Sequence, residues 1–192
     1  MTTLNDPVHS TLALLREWQS VCTAIADGRN HVLIRKGGIA EGRGGFAIRR
    51  NFFGLLPTLF HQSKVAAIDV PTPPTTISLI CQLVEAYTLP SLTPLQALGP
   101  YHAYSAEQLE ARQNYKPERP ITLLIVRPFL LRKPIEVVQG QVQAVCRSWA
   151  ELPLTAGLGG IEAIIDAVKM DQTLDALRQA ITALPDVQQA PI

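Results

Sequence analysis

The chain is short of the features that announce a function. No apolar run approaches the roughly 18 residues that a membrane-spanning helix needs, so no association with a membrane is expected. The opening MTTLNDPVHS has no basic start followed by an apolar core, which excludes a recognisable secretory signal and leads us to expect a cytoplasmic protein. Three cysteines, Cys22, Cys81 and Cys146, are odd in number and widely spaced, which excludes a disulfide framework; they read as reduced, buried small hydrophobes. The histidines, His9, His31, His61 and His102, show neither H-x-x-x-H nor any Cys/His ligand spacing, so neither a metal nor a cofactor is expected. No G-x-S-x-G, no G-x-x-x-x-G-K-[ST] and no G-x-G-x-x-G opening a helix can be read, which removes the common signatures of hydrolases, P-loop proteins and dinucleotide-binding folds. Aromatic residues make up only 6% of the chain and charged ones 17%.

What is present is a globular composition, 47% hydrophobic over 192 residues, long enough for one domain that buries about two-thirds of its surface. The formal net charge of +1 conceals an asymmetry. Arg29, Arg35, Lys36, Arg43, Arg49 and Arg50 lie close together in the chain with Glu41 as the single acid among them, a local +5 that the remaining residues offset with −4. Within that window, 35-RKGGIAEGRGGFAIRR-50 packs five of the chain's twelve glycines into nine positions. Charge concentrated in this way points to a local anion site, or else to solvated strand and loop ends.

Periodicity gives the coarse organisation. In 11-TLALLREWQSVCTAIADG-28, Leu12, Leu15, Trp18, Val21, Cys22 and Ile25 recur at spacings of three and four, predicting one amphipathic helix that stops at Gly28. The segment 31–36 reads as a strand running into the glycine-rich loop, 45–50 as its hairpin partner, and 52–60 as a strand broken by Pro57. A proline-rich connector over 70–77 precedes 77–89, which fits a helix or a long strand and whose isoleucine, valine, threonine and tyrosine content favours the strand. Thr93, Pro94 and Gly99 frame a short helix, and Ser105 with Gln108 forms a capping box for a helix over 105–115. The β-branched run 121–131 predicts a central strand, 135–145 predicts one or two more around Gly140, and 161–170 and 171–184 predict two helices, the second capped by Asp171. The expected fold is therefore α+β: a mixed or antiparallel sheet, open or barrel-like, with an N-terminal helix and a C-terminal helical appendage. Residues 1–11 are expected to be disordered, 12–153 to form a single α+β domain, 159–185 the helical appendage and 186–192 a frayed tail. The apolar stripe of Leu174, Leu177, Ile181 and Leu184 must be covered, either by the sheet or by a protein partner.

The candidate functional residues cluster around the basic loop. Glycine pairs permit close backbone approach and expose amide N–H groups to an anion, although Gly42, Gly44 and Gly45 equally suit a bare turn. Arg35 and Lys36 end a strand, so alternation turns them to opposite faces; Arg35, with its bidentate guanidinium, is the better anion contact, and Glu41 is its expected ion-pair partner. His61 and Gln62, just past Pro57-Thr58, are a donor–acceptor pair able to read a base edge or to hold a structural place. An alternative catalytic set, Glu41, His61, Gln62 and Lys64, lacks the second carboxylate that Mg²⁺ chemistry requires. Tyr101, His102 and Tyr104 form either a base-stacking cluster or a packed corner.

The run RKGGI (35–39) with Glu41, then Phe46, then Leu56-Pro57-Thr58 and His61-Gln62, resembles the family known as domain of unknown function 1802. Further on, 127-RPFLL-131 and 147-RSWAEL-152 resemble that family's arginine-bearing strand and Ser-Trp element, so the likeness spans residues 12 to 152. The residues beside the Pro-Thr depart from the family pattern, with Leu59 and Phe60 where acidic or aromatic residues are often found. Some members stand beside nuclease domains of restriction systems, and this resemblance implies a link to nucleic acid, with a hydrolase or nuclease as the alternative. A looser likeness, Gly28 followed by a strand ending in arginine, is to the β-barrels of PUA and ASCH domains that bind RNA or modified bases. Residues and resemblance together give a candidate ligand-binding set of Arg35, Lys36, Gly37, Gly38, Glu41, Phe46, Thr58, His61, Gln62 and Arg127. They lead to the expectation of a binding module for nucleic acid or a nucleotide-like anion, or a structural partner in an assembly through its C-terminal helices.

Overall fold

The structure, a computed structural model, describes residues 11–36, 46–58, 75–91, 93–138, 140–142, 148–154 and 157–192. Strand β1 (Thr11–Trp18) runs into helix α1 (Gln19–Ala26), followed by β2 (Val32–Arg35), β3 (Phe52–Thr58) and β4 (Thr75–Leu89). A 3₁₀ helix (Thr93–Tyr101) and α2 (Ala106–Asn114) lead to the 17-residue β5 (Ile121–Val137). The chain closes with β6 (Trp149–Pro153), β7 (Ile161–Ala163), α3 (Ala167–Thr182) and β8 (Gln188–Gln189). The strands form one mixed sheet in the order β2-β5-β4-β3-β1-β6, with β7 added to β5 and β8 to β4. Among the described residues only the β1–β3 pairing is parallel. The sheet ends on β2 and β6, and among the described residues it is not closed into a barrel.

The expected N-terminal helix is half strand. Residues 11–18 lie between β3 and β6, in register from Leu14↔Gly54 to Trp18↔Thr58 and from Thr11↔Pro153 to Leu15↔Trp149. Leu12 and Leu14 enter one core and Leu15 another, on opposite faces of the sheet. Two ladders and two buried faces outweigh the three-four periodicity that the same leucines happen to satisfy. Gly54 is what lets the two strands approach: a Cβ there would stand 2.7 Å from Leu14 Cδ2.

Pro57 and Pro128 each stand in one ladder, opposite Glu17 and Cys81, and beside a gap in the ladder on the other side. Pro57 lies inside β3, but the β3–β4 ladder covers only Phe52 to Gly54, so its missing N–H costs no bond to β4. Pro128 pairs with Cys81 of β4 and, on its other side, falls between the stretches of β5 that pair with β2 (Thr122–Ile125) and β7 (Phe129–Leu131). The long β4–β5 pair also absorbs two register shifts, between Ile77 and Leu79 and between Leu83 and Glu85.

Three further expectations are corrected. Residues 46–50 are not a strand; β2 instead pairs with β5, from Val32↔Ile125 to Arg35↔Thr122. Residues 135–137 continue β5 rather than begin a new strand. In the tail, Ile161–Ala163 pairs with β5 and the helix starts later, capped by Asp166, whose Oδ1 accepts from the Lys169 amide at 3.0 Å. Asp171, the expected cap, lies inside α3. The capping box on α2 has both of its reciprocal bonds: the Gln108 amide donates to Ser105 Oγ and the Ser105 amide to Gln108 Oε1.

The principal core lies on one face, where α1, α3 and the 3₁₀ helix cover β2, β4 and β5. Met170, Leu174, Leu177 and Ile181 of α3, with Leu184 beyond it, are buried in that same core, so the apolar stripe of the C-terminal helix packs on the sheet. Arg178 clamps the helix further through its ion pair to Glu85 of β4, and pairs within the helix with Asp175. A smaller core on the opposite face gathers Leu12, Leu14, Leu56, Ile77, Ile80, Leu131, Val137 and Leu152.

Candidate anion-binding site

Where β1 ends beside β2 and α2, the sheet buries a carboxylate. Glu17 is the penultimate residue of β1, and its side chain is 0% exposed. A carboxylate in that position is tolerable only when every lone pair is used. Oε1 accepts from the Trp18 amide and from Arg112 Nη2, both at 2.9 Å; Oε2 accepts from Arg35 Nη1 at 3.2 Å and from the Tyr104 hydroxyl at 3.0 Å. Arg35, the last residue of β2, also donates from Nη1 to the Arg16 carbonyl at 2.9 Å. Arg112 comes from the last turn of α2, where a cation complements the helix dipole. Thr58, at the end of β3, donates its hydroxyl to the Glu17 carbonyl at 3.1 Å.

Tyr104 acts as a keystone. Its oxygen accepts from the Ile34 amide at 3.1 Å while its proton goes to Glu17. Burial and the negative charge of Glu17 push the phenol well above its usual range, with Arg112, the Ile34 bond and Arg35 pulling partly back, so it remains a donor. Two aromatic planes flank the cations: Arg112 Cζ lies 4.2 Å from the Trp18 ring centroid and Arg35 Cζ lies 5.5 Å from that of Phe46. Phe46 stacks in turn on Trp149 at 5.8 Å, and Trp149 Nε1 donates to the Ala47 carbonyl at 2.8 Å.

Lys36 completes the group. It is 1% exposed, and its Nζ donates to the Gln113 carbonyl at 2.9 Å, next in sequence to Arg112. Burial pushes its pKa below the usual lysine value, and the charge of Glu118 partly offsets this. Two arginines thus pair with the one carboxylate, and Lys36 is bonded to the helix end that carries one of them.

Four residues of the sequence-derived set, Arg35, Lys36, Phe46 and Thr58, meet here. The expected divergence of Arg35 and Lys36 is not seen: β2 stops at Arg35, so strand alternation does not govern Lys36, and both side chains reach α2 or its partner Glu17. The described acid paired with Arg35 is Glu17; the expected pairing with Glu41 falls outside the described residues. Gly37, Gly38, Glu41, His61, Gln62 and Lys64 lie outside the described residues. Arg127 stands apart, five positions along β5 from the Arg35 partner Thr122, about 17 Å at 3.4 Å per residue, and pairs with Asp171 at 2.6 Å. The Tyr101–His102–Tyr104 cluster is a packed corner: the Tyr101 carbonyl accepts from the His31 amide, His102 Nδ1 from the Tyr104 amide, and Tyr104 is buried.

Glu17 and Arg112 were missed. In the helical reading of 11–28, Glu17 falls on the polar face and looks solvated; in a strand flanked by Leu14 and Leu15 it is a buried acid that demands cations. The described residues hold no group of three His, Cys, Asp or Glu side chains fit for a metal. Cys22 and Cys81 are buried thiols, the first pushed up to about 12 by burial and by Glu17 and the second higher still, so both are unreactive. No helix among the described residues is long and apolar enough to cross a membrane.

A family model described as domain of unknown function (DUF1802) matches residues 14–176. No curated protein matches the chain. Among solved structures the chain is similar to ASCH from Zymomonas mobilis, at 14% identity over 86% of this chain and 94% of that one, with a TM-score of 0.45. A serine-to-alanine mutant of that protein gives 15% identity, the same coverage and a TM-score of 0.47.

Proposed function

The chain belongs to the family described as domain of unknown function (DUF1802), and from that premise we propose that it is a binding module for nucleic acid or a nucleotide-like anionic ligand. One observation carries this reading. The described chain breaks off at Lys36 and resumes at Phe46, and both of these residues are anchored at the arginine-rich cluster around Glu17. Arg35 and Lys36 are held by Glu17 and the Gln113 carbonyl, while Phe46 lies against the Arg35 guanidinium. By sequence the intervening segment 37–45 carries Arg43 and five glycines, and the exposed Arg49 and Arg50 follow it. Glycine-rich backbone amides and arginine side chains are groups that suit phosphate oxygens.

Arg35 and Lys36 belong to the packed interior, so the informative variant is Arg43→Ala/Arg49→Ala/Arg50→Ala. Anisotropy of a labelled single-stranded oligonucleotide should show micromolar-range binding that weakens with salt, with a log–log slope of about −2 to −3. The triple variant should flatten that slope by about 2 units and leave the fold unchanged. No binding at low salt by a demonstrably folded chain would end the nucleic-acid reading.

A further inference from the structure

We infer that α2 is a lid, a helix that undocks as a unit while the sheet stays folded and in doing so opens Lys36 and Glu17 to solutes. The chain leaves the interior at Tyr104, which is buried, and returns to it at Ile121, which is fully buried. Between those two anchors, residues 105–120 bury a single side chain, Gln108, and it is polar. Leu109 is the residue of α2 that reaches the principal core, and it is only partly buried. The docking contacts of the helix are polar. Gln108 Nε2 donates to Ser20 Oγ on α1, Arg112 Nη2 pairs with Glu17 while its guanidinium lies over the Trp18 ring, and the Gln113 carbonyl accepts from Lys36 Nζ.

Polar and apolar docking differ in what release costs. Buried apolar surface loses its stabilisation outright when it meets water. Hydrogen bonds within the protein are exchanged for bonds to water at a small net loss. The Arg112–Glu17 pair follows the same rule: deleting one partner strands a buried charge, but lifting the helix wets both, and the desolvation that opposed the pair is recovered. A helix of nine residues is also too short to persist alone, so α2 melts as it undocks. Both ends suit a hinge. Ser105 is extended, with φ −69° and ψ 160°, directly after Tyr104, whose hydroxyl bonds to Glu17 and to the Ile34 amide hold that end in place. Lys116, just past the helix, has φ 47° in the left-handed region that favours glycine, a strain that release of the helix relieves. The bond from Lys36 to Gln113 ties the lid to the residue that leads into the glycine-rich stretch of the sequence, and it keeps the ammonium covered while α2 is docked.

Hydrogen exchange of the intact chain, read by mass spectrometry, tests this. Amides of 109–115 should exchange at least about tenfold faster than those of β5 and at least about tenfold slower than in an unfolded peptide. Ile80→Val thins the core on the far face of the sheet, at a fully buried residue that α2 does not touch. It should speed exchange in β5 about two- to tenfold and leave 109–115 unchanged, because the sheet is intact when the lid opens. Ser20→Ala removes one latch bond at an exposed residue and should speed 109–115 about twofold or more. Acetylation of Lys36 by acetic anhydride, measured against the exposed Lys133, should rise by the same factor in Ser20→Ala and stay constant in Ile80→Val. Exchange in 109–115 that equals that of β5, or that accelerates with it in Ile80→Val, overturns the lid, because α2 would then open only with the whole fold. Exchange as fast as in an unfolded peptide overturns it too, since nothing would be docked. A Lys36 rate indifferent to Ser20→Ala while 109–115 responds overturns the gating of Lys36.

Discussion

Replacing Glu17 with glutamine isolates the electrostatics of the buried cluster. The side chains have nearly the same volume, so no cavity forms and packing terms are close to nil. What changes is that Arg35 and Arg112 lose the charge that compensates them, and one amide oxygen replaces two carboxylate oxygens that accept four donors. Removing one partner of a buried ion pair costs about 3–5 kcal/mol, because the other is left as an uncompensated buried charge. At roughly 2–4 °C per kcal/mol for a chain of this size, the Tm should fall by about 6–20 °C. Circular dichroism melts at fixed pH, with urea titrations to check that the m-value is unchanged, measure this directly. The cycle has a second arm: Glu17→Gln/Arg35→Met should recover part of the loss, since it removes one of the orphaned cations. A fall of under about 2 °C in the single variant would refute the view that Glu17 is the counter-ion of this interior. So would a double variant less stable than the sum of the two single ones.

Three further outcomes are expected. Burial holds His31 and His102 below their ordinary value of 6.5, with carbonyl bonds at Gly28 and Leu95 opposing the shift, so both are neutral in the folded chain; the unfolded chain takes up protons first, stability is lost as pH falls below 6.5, and the Tm at about pH 5 should lie below that at about pH 8, by less in His31→Gln. Gly54→Ala would place a methyl 2.7 Å from Leu14 Cδ2 and 3.2 Å from Ile77 Cγ2, in a fully buried corner, and should cost about 1–3 kcal/mol in a urea titration; a neutral variant would show that β1 and β3 can part. Deleting residues 159–192 strips Met170, Leu174, Leu177, Ile181 and Leu184 from the principal core, at about 2–5 kcal/mol for each large side chain against a typical total stability of about 5–15 kcal/mol, so the truncated chain should aggregate or bind a hydrophobic dye, and a soluble monomer with an unchanged Tm would refute this.

The strands at 121–131 and 77–89 and the capped helix at 106–114 were legible because local signals and tertiary demands agree there. The β-branched run of β5 is paired on both edges, and the Ser105–Gln108 box closes as its residue types require. The N-terminal segment was illegible for the opposite reason. Its leucines satisfy a helical period, and only β3 and β6, the latter some 130 residues downstream, make it a strand. That misreading concealed half of the site, since Glu17 acquires its meaning from Arg35, Arg112 and Tyr104, which no short window contains. The anion-binding character of Arg35 and Lys36 was visible as local charge density, but their burial was not. Glycine-rich flanks suggest exposure, whereas the pairing of β2 with β5 and the approach of α2 draw both side chains inward.

The place of β1 in the sheet also has a bearing on synthesis. The antiparallel neighbour of β1, β6, follows it about 130 residues later, and at about 5–20 residues per second that is an interval of roughly 7–26 s. Until then one edge of β1 stays open, and Glu17 waits for Arg112 and Tyr104 for most of that time. Long-range pairings of this kind slow folding and leave unpaired strand edges exposed while the chain grows. The charge that must later be neutralised in the interior serves in that interval as a guard: an ionised glutamate next to the open edge opposes its pairing with another nascent chain. The same carboxylate would then protect the unfinished molecule and organise the finished one.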